Sequence, residues 1–108
     1  MADKEADAEL VRLAQQGDER AFQALVVKYQ RRIARHVARY VRRASDVEEV
    51  VQDAFIRAYR GLASFRGDAA FYSWLYRIAT NAALSFLKRN ADEVQADERS
   101  DAPFEPGV

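Results

Sequence analysis

No proline occurs before Pro103 in this chain of 108 residues. Proline stops a helix because its ring removes the N–H donor and clashes with the preceding turn. The first 102 residues therefore leave long helices unobstructed. Strand signals are absent: no segment alternates apolar and polar side chains, and no Asn-Gly or Asp-Gly pair offers a hairpin turn. Apolar residues recur instead at the three-and-four spacing of helices buried on one side. The fold class this implies is all-α.

Four helices can be read. The first runs from about Asp7 to Gln16, with Leu10, Leu13 and Ala14 inward and Gly17 as its stop. Asp18 is placed to cap the second, from about Glu19 to Arg43. Its apolar residues Phe22, Leu25, Val26, Tyr29, Ile33, Val37, Tyr40 and Val41 share one side, and Lys28, Arg31, Arg32, Arg35, Arg39, Arg42 and Arg43 occupy the other. Ser45 and Glu48 have the spacing of a capping box for a third helix, which buries Val47, Val50, Val51, Ala54, Ala58 and Leu62. A loop spans about Ala63–Asp68. Asp68 is placed to cap a fourth helix, from Ala69 to about Arg89, whose inward stripe is Trp74, Leu75, Ile78, Ala82, Phe86 and Leu87. Residues 91–108 carry six acids, two prolines and few large apolar side chains, so they read as a disordered acidic tail or linker. The organisation is a compact four-helix domain over 1–90 and a flexible tail over 91–108.

Charge is segregated behind a net value of zero. Residues 1–27 carry −3, residues 28–89 carry +8 and residues 90–108 carry −5. A basic middle between acidic ends points to a polyanionic partner, although a solvated basic helix face explains the same pattern. The segment Phe65–Asn81 holds five of the eleven aromatic residues that precede the tail, together with two arginines. Phe71, Tyr72, Trp74, Leu75, Tyr76 and Ile78 cover more than one helix face, and a core needs only one stripe. The surplus suits something flat and anionic, such as unstacked bases beside a phosphate backbone.

The residues argue against an enzyme. His36 is the only histidine and sits among arginines, where a surface role is the ordinary one. The glycines at 17, 61, 67 and 107 form no phosphate-binding loop. There is no cysteine, and Glu48, Glu49 and Asp53 lack the companions a metal site needs. No catalytic residue, metal ligand or cofactor is assigned. No apolar run spans a membrane and the N-terminus is polar and acidic, so no membrane insertion is expected and the location read is cytoplasmic.

Several separated stretches, in order, resemble one family: Gln16–Phe22, Val26–Gln30, Ser45–Leu62 and Ala63–Asn81. Over about residues 8–90 the chain is similar to the second conserved domain of bacterial sigma factors, in the extracytoplasmic-function group and its sigma-E-like branch. The resemblance implies docking on core RNA polymerase, at the clamp helices of its largest subunit. The corresponding face is Glu49, Gln52, Asp53, Phe55 and Ile56. Read without the resemblance, Glu49, Gln52 and Asp53 are an ordinary solvated face.

It also implies melting of promoter DNA and capture of the non-template strand of the −10 element. The residues in the corresponding positions are Phe65, Arg66, Gly67, Asp68, Phe71, Tyr72, Trp74, Arg77, Thr80, Asn81 and Lys88. Every base offers a π-face, so stacking on aromatic side chains gives about 1–3 kcal/mol per base. A loop with Gly67 can fold around an extruded base, and Arg66 can balance a phosphate. Asn81 can pair bidentately with adenine. Phe71, Trp74 and Ile78 can also be read simply as core, and Trp74 and Ile78 equally fit the inward stripe.

The family also implies an anti-sigma protein as a further partner. Two other readings stay open: a helical interaction module bound by such a regulator, and a generic helical nucleic-acid-binding domain. Complete members carry a second DNA-binding domain with a helix-turn-helix. Nothing after residue 90 supplies it, so the expectation is an isolated domain or a truncated product.

Overall fold

The computed structural model describes the backbone of residues 3–101 and the side chains of residues 4–93. The chain folds into α1 (Asp3–Gln15), α2 (Glu19–Val37), α3 (Ala44–Gly61) and α4 (Phe71–Asp101), with one 3-10 turn at Leu62–Ser64. Among the described residues there is no strand.

The turn between α1 and α2 follows the sequence signals. Gly17 takes φ +101°, a left-handed conformation that costs a residue without a Cβ little. The Asp18 N–H donates back to the Leu13 carbonyl at 3.0 Å. The Asp18 carboxylate then accepts from the N–H groups of Arg20 and Ala21 at 3.0 and 3.2 Å, satisfying donors that α2 itself leaves open.

One core joins all four helices. Leu25, Tyr29, Ile33 and Val37 of α2 meet Val50, Ala54 and Ala58 of α3 and Leu75, Ala79, Ala82 and Ala83 of α4, with Val11 of α1 at one edge. Burying each large aliphatic side chain contributes about 1.5–3 kcal/mol. The three alanines of α4 let its backbone pass close to α2 and α3. One polar group lies within this packing. Asp7 of α1 is buried, accepts from Lys28 Nζ at 2.6 Å and also accepts from the Tyr29 hydroxyl. A buried carboxylate persists only when paired in this way, and the pairing fastens α1 to α2.

The helix ends depart from expectation. The second helix stops at Val37 rather than Arg43. The Tyr40 and Val41 N–H groups both return to the Val37 carbonyl, at 2.8 and 3.1 Å, and Val41 turns into the core. Continuing the helix would also have stacked Arg35, Arg39 and Arg43 at repulsive four-residue intervals. Ser45 does not cap α3. The cap position is Arg43, whose carbonyl accepts from the Val47 N–H at 2.9 Å, with no side-chain cap. Asp68 does not cap α4, which begins two residues later than expected, at Phe71. Leu87 is exposed, and the inward stripe takes in Phe71, Ala79 and Ala83 instead. The helical backbone continues past Arg89 to Asp101, and residues 91–93 are exposed. The remainder of the expected tail, 102–108, lies outside the described residues.

Candidate nucleic-acid interface

Residues 65–70 form a loop between the 3-10 turn and α4, and its position is set from α1. The Gln15 amide donates to the carbonyls of Leu62 and Phe65, each at 2.9 Å. Gly67, at φ +83°, lets the loop reverse direction. Arg66 and Asp68 are exposed at its tip. Between this loop and α1 lies a cavity of about 230 Å³ lined by Val11, Gln15, Phe65, Arg66, Ala70 and Phe71, with Lys4, Asp7 and Arg12 at its edge.

The aromatic residues of α4 divide between two sides. Phe71 and Trp74 face the loop. The Phe65 ring lies 4.8 Å from Trp74 and meets Phe71 edge-on at 6.1 Å. Phe71 is only 4% exposed, so most of its ring serves the core, and its remaining edge lines the cavity. Trp74 is half-buried and also covers Gly61 at the end of α3, where an added Cβ would meet the indole at 3.4 Å.

Tyr72, Tyr76 and Thr80, four residues apart, face α2 instead. The Tyr72 and Tyr76 rings lie 4.4 Å apart, and Tyr76 lies 4.6 Å from His36. The Tyr76 hydroxyl donates to the Arg32 carbonyl at 3.4 Å, and its burial raises the phenol above its ordinary range. His36 Nε2 lies 2.7 Å from the Thr80 hydroxyl, which donates to the Tyr76 carbonyl at 3.0 Å. Arg32, Arg35 and Arg39 complete a polar groove of about 410 Å³ with these side chains. Arg77, Asn81 and Lys88 form an exposed stripe beside it, at three-four spacing on α4.

A third surface lies on α3. Glu49, Gln52 and Ile56 are exposed and Asp53 is half-exposed along one stripe. Asp53 pairs with Arg57 at 3.1 Å, and Glu49 approaches Arg89 of α4 at 3.9 Å. Both pairs sit in water and hold little energy. Phe55 is largely buried, and its edge lines a shallow apolar pocket with Phe22, Ile56 and Tyr59. Beside it, Ile56 and Tyr59 are about half exposed, and Tyr59 meets Phe22 edge-on at 5.1 Å, forming a small apolar patch.

The expected site residues thus fall into a loop, a groove and a stripe. The α3 face is spatially separate, and Phe55 and Phe71 are core rings that each show an edge to a pocket. The sequence reading missed Gln15, whose partners lie 47 and 50 residues away. It also set aside His36, whose partner Thr80 lies 44 residues away. The pattern of Arg32, Arg35, His36 and Arg39 at helical spacing was the signal for the groove. Among the described residues, no three His, Asp or Glu side chains gather as a metal site would require, and no helix is long and apolar enough to cross a membrane.

A family model described as Sigma-70 region 2 matches residues 25–93. The chain is 55% identical over 87 residues to the ECF RNA polymerase sigma-E factor of Escherichia coli, covering 81% of this chain and 45% of that protein. It is 52% identical, over the same shares, to the RNA polymerase sigma-H factor of Pseudomonas aeruginosa. It therefore spans somewhat under half the length of the curated relatives it matches. The solved structure of an engineered region 2 of sigmaE in complex with GTAAAA is similar with TM-score 0.79 and 46% identity, over 86% of this chain and 97% of that one. CnrH, in complex with the cytosolic domain of CnrY, is similar with TM-score 0.69 and 35% identity, over 74% of this chain and 52% of that one.

Proposed function

Because this chain belongs to the Sigma-70 region 2 family, we propose that it docks on core RNA polymerase and captures the non-template strand of the promoter −10 element. The role is binding and strand separation in transcription initiation, in the cytoplasm, with no reaction catalysed by the chain itself. The unit that does this is residues 1–90.

The observation that carries this reading is the loop held by Gln15 beside its cavity. The Gln15 amide fixes one carbonyl of the 3-10 turn and one of the loop, so the loop is preorganised rather than formed on binding. Phe65 supplies an apolar wall, Arg66 a cation for a phosphate, and the cavity a volume suited to one extruded base. The related engineered region 2 in complex with GTAAAA supports a single strand as the ligand. Phe65 and Trp74 remain candidates for base contact, as do Tyr72, Arg77, Thr80, Asn81 and Lys88 around the groove. For polymerase, the α3 stripe of Glu49, Gln52, Asp53 and Ile56 offers acids beside an apolar edge, a match for a basic coiled-coil partner.

Replacing Gln52 and Asp53 with Ala should weaken binding to core polymerase at least tenfold in a pull-down, with the helical circular dichroism unchanged. Unchanged binding would remove α3 from the docking account. A second reading draws on CnrH bound to the cytosolic domain of CnrY. An anti-sigma protein would cover the apolar patch of Phe22, Ile56 and Tyr59, and polymerase would then compete with it for this chain.

A further inference from the structure

The groove between α2 and α4 is strongly positive. Arg32, Arg35 and His36 lie in the last two turns of α2, and Arg39 lines the same groove just past the helix end. Among the described residues none of the three arginines pairs with a carboxylate. The sequence has no acid between Arg20 and Ser45, nor between Ala69 and Ala91, so neither helix supplies one nearby.

The groove is also closed to intercalation. Tyr72 lies against Tyr76 at 4.4 Å, Tyr76 lies against His36 at 4.6 Å, and the Arg32 guanidinium lies over Tyr72 at 5.8 Å. The rings occupy one another's faces, so a base has no gap to enter between them, whereas Arg32, Arg35 and Arg39 are exposed along the groove. That arrangement suits a sugar–phosphate backbone.

The Thr80 hydroxyl lies within hydrogen-bond reach of both the Tyr76 carbonyl and His36 Nε2. With its one proton on the carbonyl, Nε2 donates to Thr80 and Nδ1 is left to take up a second proton without breaking this chain.

We infer that the α2–α4 groove is a phosphate-binding track for single-stranded DNA, in which His36 becomes a fourth cation by taking up a proton as the strand binds. The inference rests on the DNA-binding reading above and adds the linkage. The charged and titratable groups facing His36 are Arg32, Arg35, Arg39 and Tyr40 from the α2 side and Tyr72 and Tyr76 from α4. In the unliganded groove, burial and then the Arg39 charge hold the imidazole below its ordinary value. A phosphate offsets that repulsion, so binding draws a proton in, and by linkage the affinity rises as pH falls.

The test uses the full chain and a fluorescent single-stranded −10-like oligonucleotide, with anisotropy read at constant ionic strength from about pH 8 to about pH 5.5, the span of histidine titration. His36 is the only histidine, and there is no cysteine to confuse the result. The unaltered chain should gain affinity several-fold across this range, and His36→Gln should show a flat profile, since Gln can still donate to Thr80 while remaining neutral. The imidazole resonance, followed by proton NMR, should titrate at higher pH with DNA than without. Replacing Arg35 and Arg39 with Gln should weaken binding and lower the salt slope by about 1.4, at about 0.7 per phosphate contact on a single strand. Equal pH dependence in the unaltered chain and His36→Gln, or an imidazole titration unmoved by DNA, would overturn the linkage while leaving strand capture intact. Absence of binding by the unaltered chain at every pH and at low salt would overturn both.

Discussion

Successive aromatic residues of α4 live in different surroundings. Phe71 and Trp74 join Phe65 in a nearly apolar cluster beside the loop. Tyr72 and Tyr76, each one turn apart on the neighbouring side, lie among arginines with a hydroxyl anchored to a backbone carbonyl. The choice of Phe or Tyr at these positions follows their surroundings: where no polar partner exists the ring has no hydroxyl, and where water and cations are near it does. One cluster supplies packing and a pocket wall, and the other holds a charged groove in shape. An aromatic-rich helix is therefore not one continuous stacking surface.

The most severe way to break this division is Phe71→Ala. A core ring lost from a site at 4% exposure should cost about 3–5 kcal/mol in chemical denaturation. Tyr72→Ala, at a half-exposed site, should cost clearly less. Similar costs for the two would mean that the two sides do not differ in packing.

Tyr29 joins the clusters, because its ring lies 6.1 Å from Phe71 and 5.4 Å from Tyr72. Tyr29→Phe retains those contacts but removes the donor to buried Asp7. Losing a hydrogen bond to a charged group should cost about 1.5–3 kcal/mol. Stability within 0.5 kcal/mol of the unaltered chain, a change typical of surface sites, would show that Lys28 alone satisfies Asp7.

A smaller effect is expected from Gln15→Ala, which releases the loop without touching either cluster. Two hydrogen bonds from an exposed side chain should be worth about 1 kcal/mol together. Hydrogen exchange at loop amides 65–70 should accelerate while exchange in α2 and α3 stays as it was. Acceleration throughout the molecule would mean that Gln15 supports the core rather than the loop.

The helices themselves were legible because spacing and the absence of proline are local properties. Asp18 and Gly17 were legible for the same reason, since a cap and a left-handed stop need only their immediate neighbours. The end of α2 was not, because Val41 is drawn into a core built by residues far along the chain. The depth of Phe55 and Phe71 was not legible either, since residue type does not tell a largely buried ring from an exposed one. Leu87 looked internal because its spacing matches the stripe, yet it is exposed while its neighbour Phe86 fills the core. Gln15 and His36 were illegible for a further reason: their hydrogen-bond partners lie more than forty residues away, and no spacing rule reaches that far.

The central claim is that the loop side reads a single strand. Its most direct test is the affinity of the chain for a −10-like single strand, a scrambled strand and the matching duplex, measured with and without joint replacement of Phe65, Arg66 and Asp68 by Ala. The duplex must be unstacked before a base can enter the cavity. The account predicts tightest binding to the −10-like single strand, weaker binding to the duplex, and a triple variant that remains folded but no longer distinguishes the two single strands. Equal affinity for all three DNAs, unchanged by the loop substitutions, would contradict it and assign the loop cluster to the core or to a protein partner.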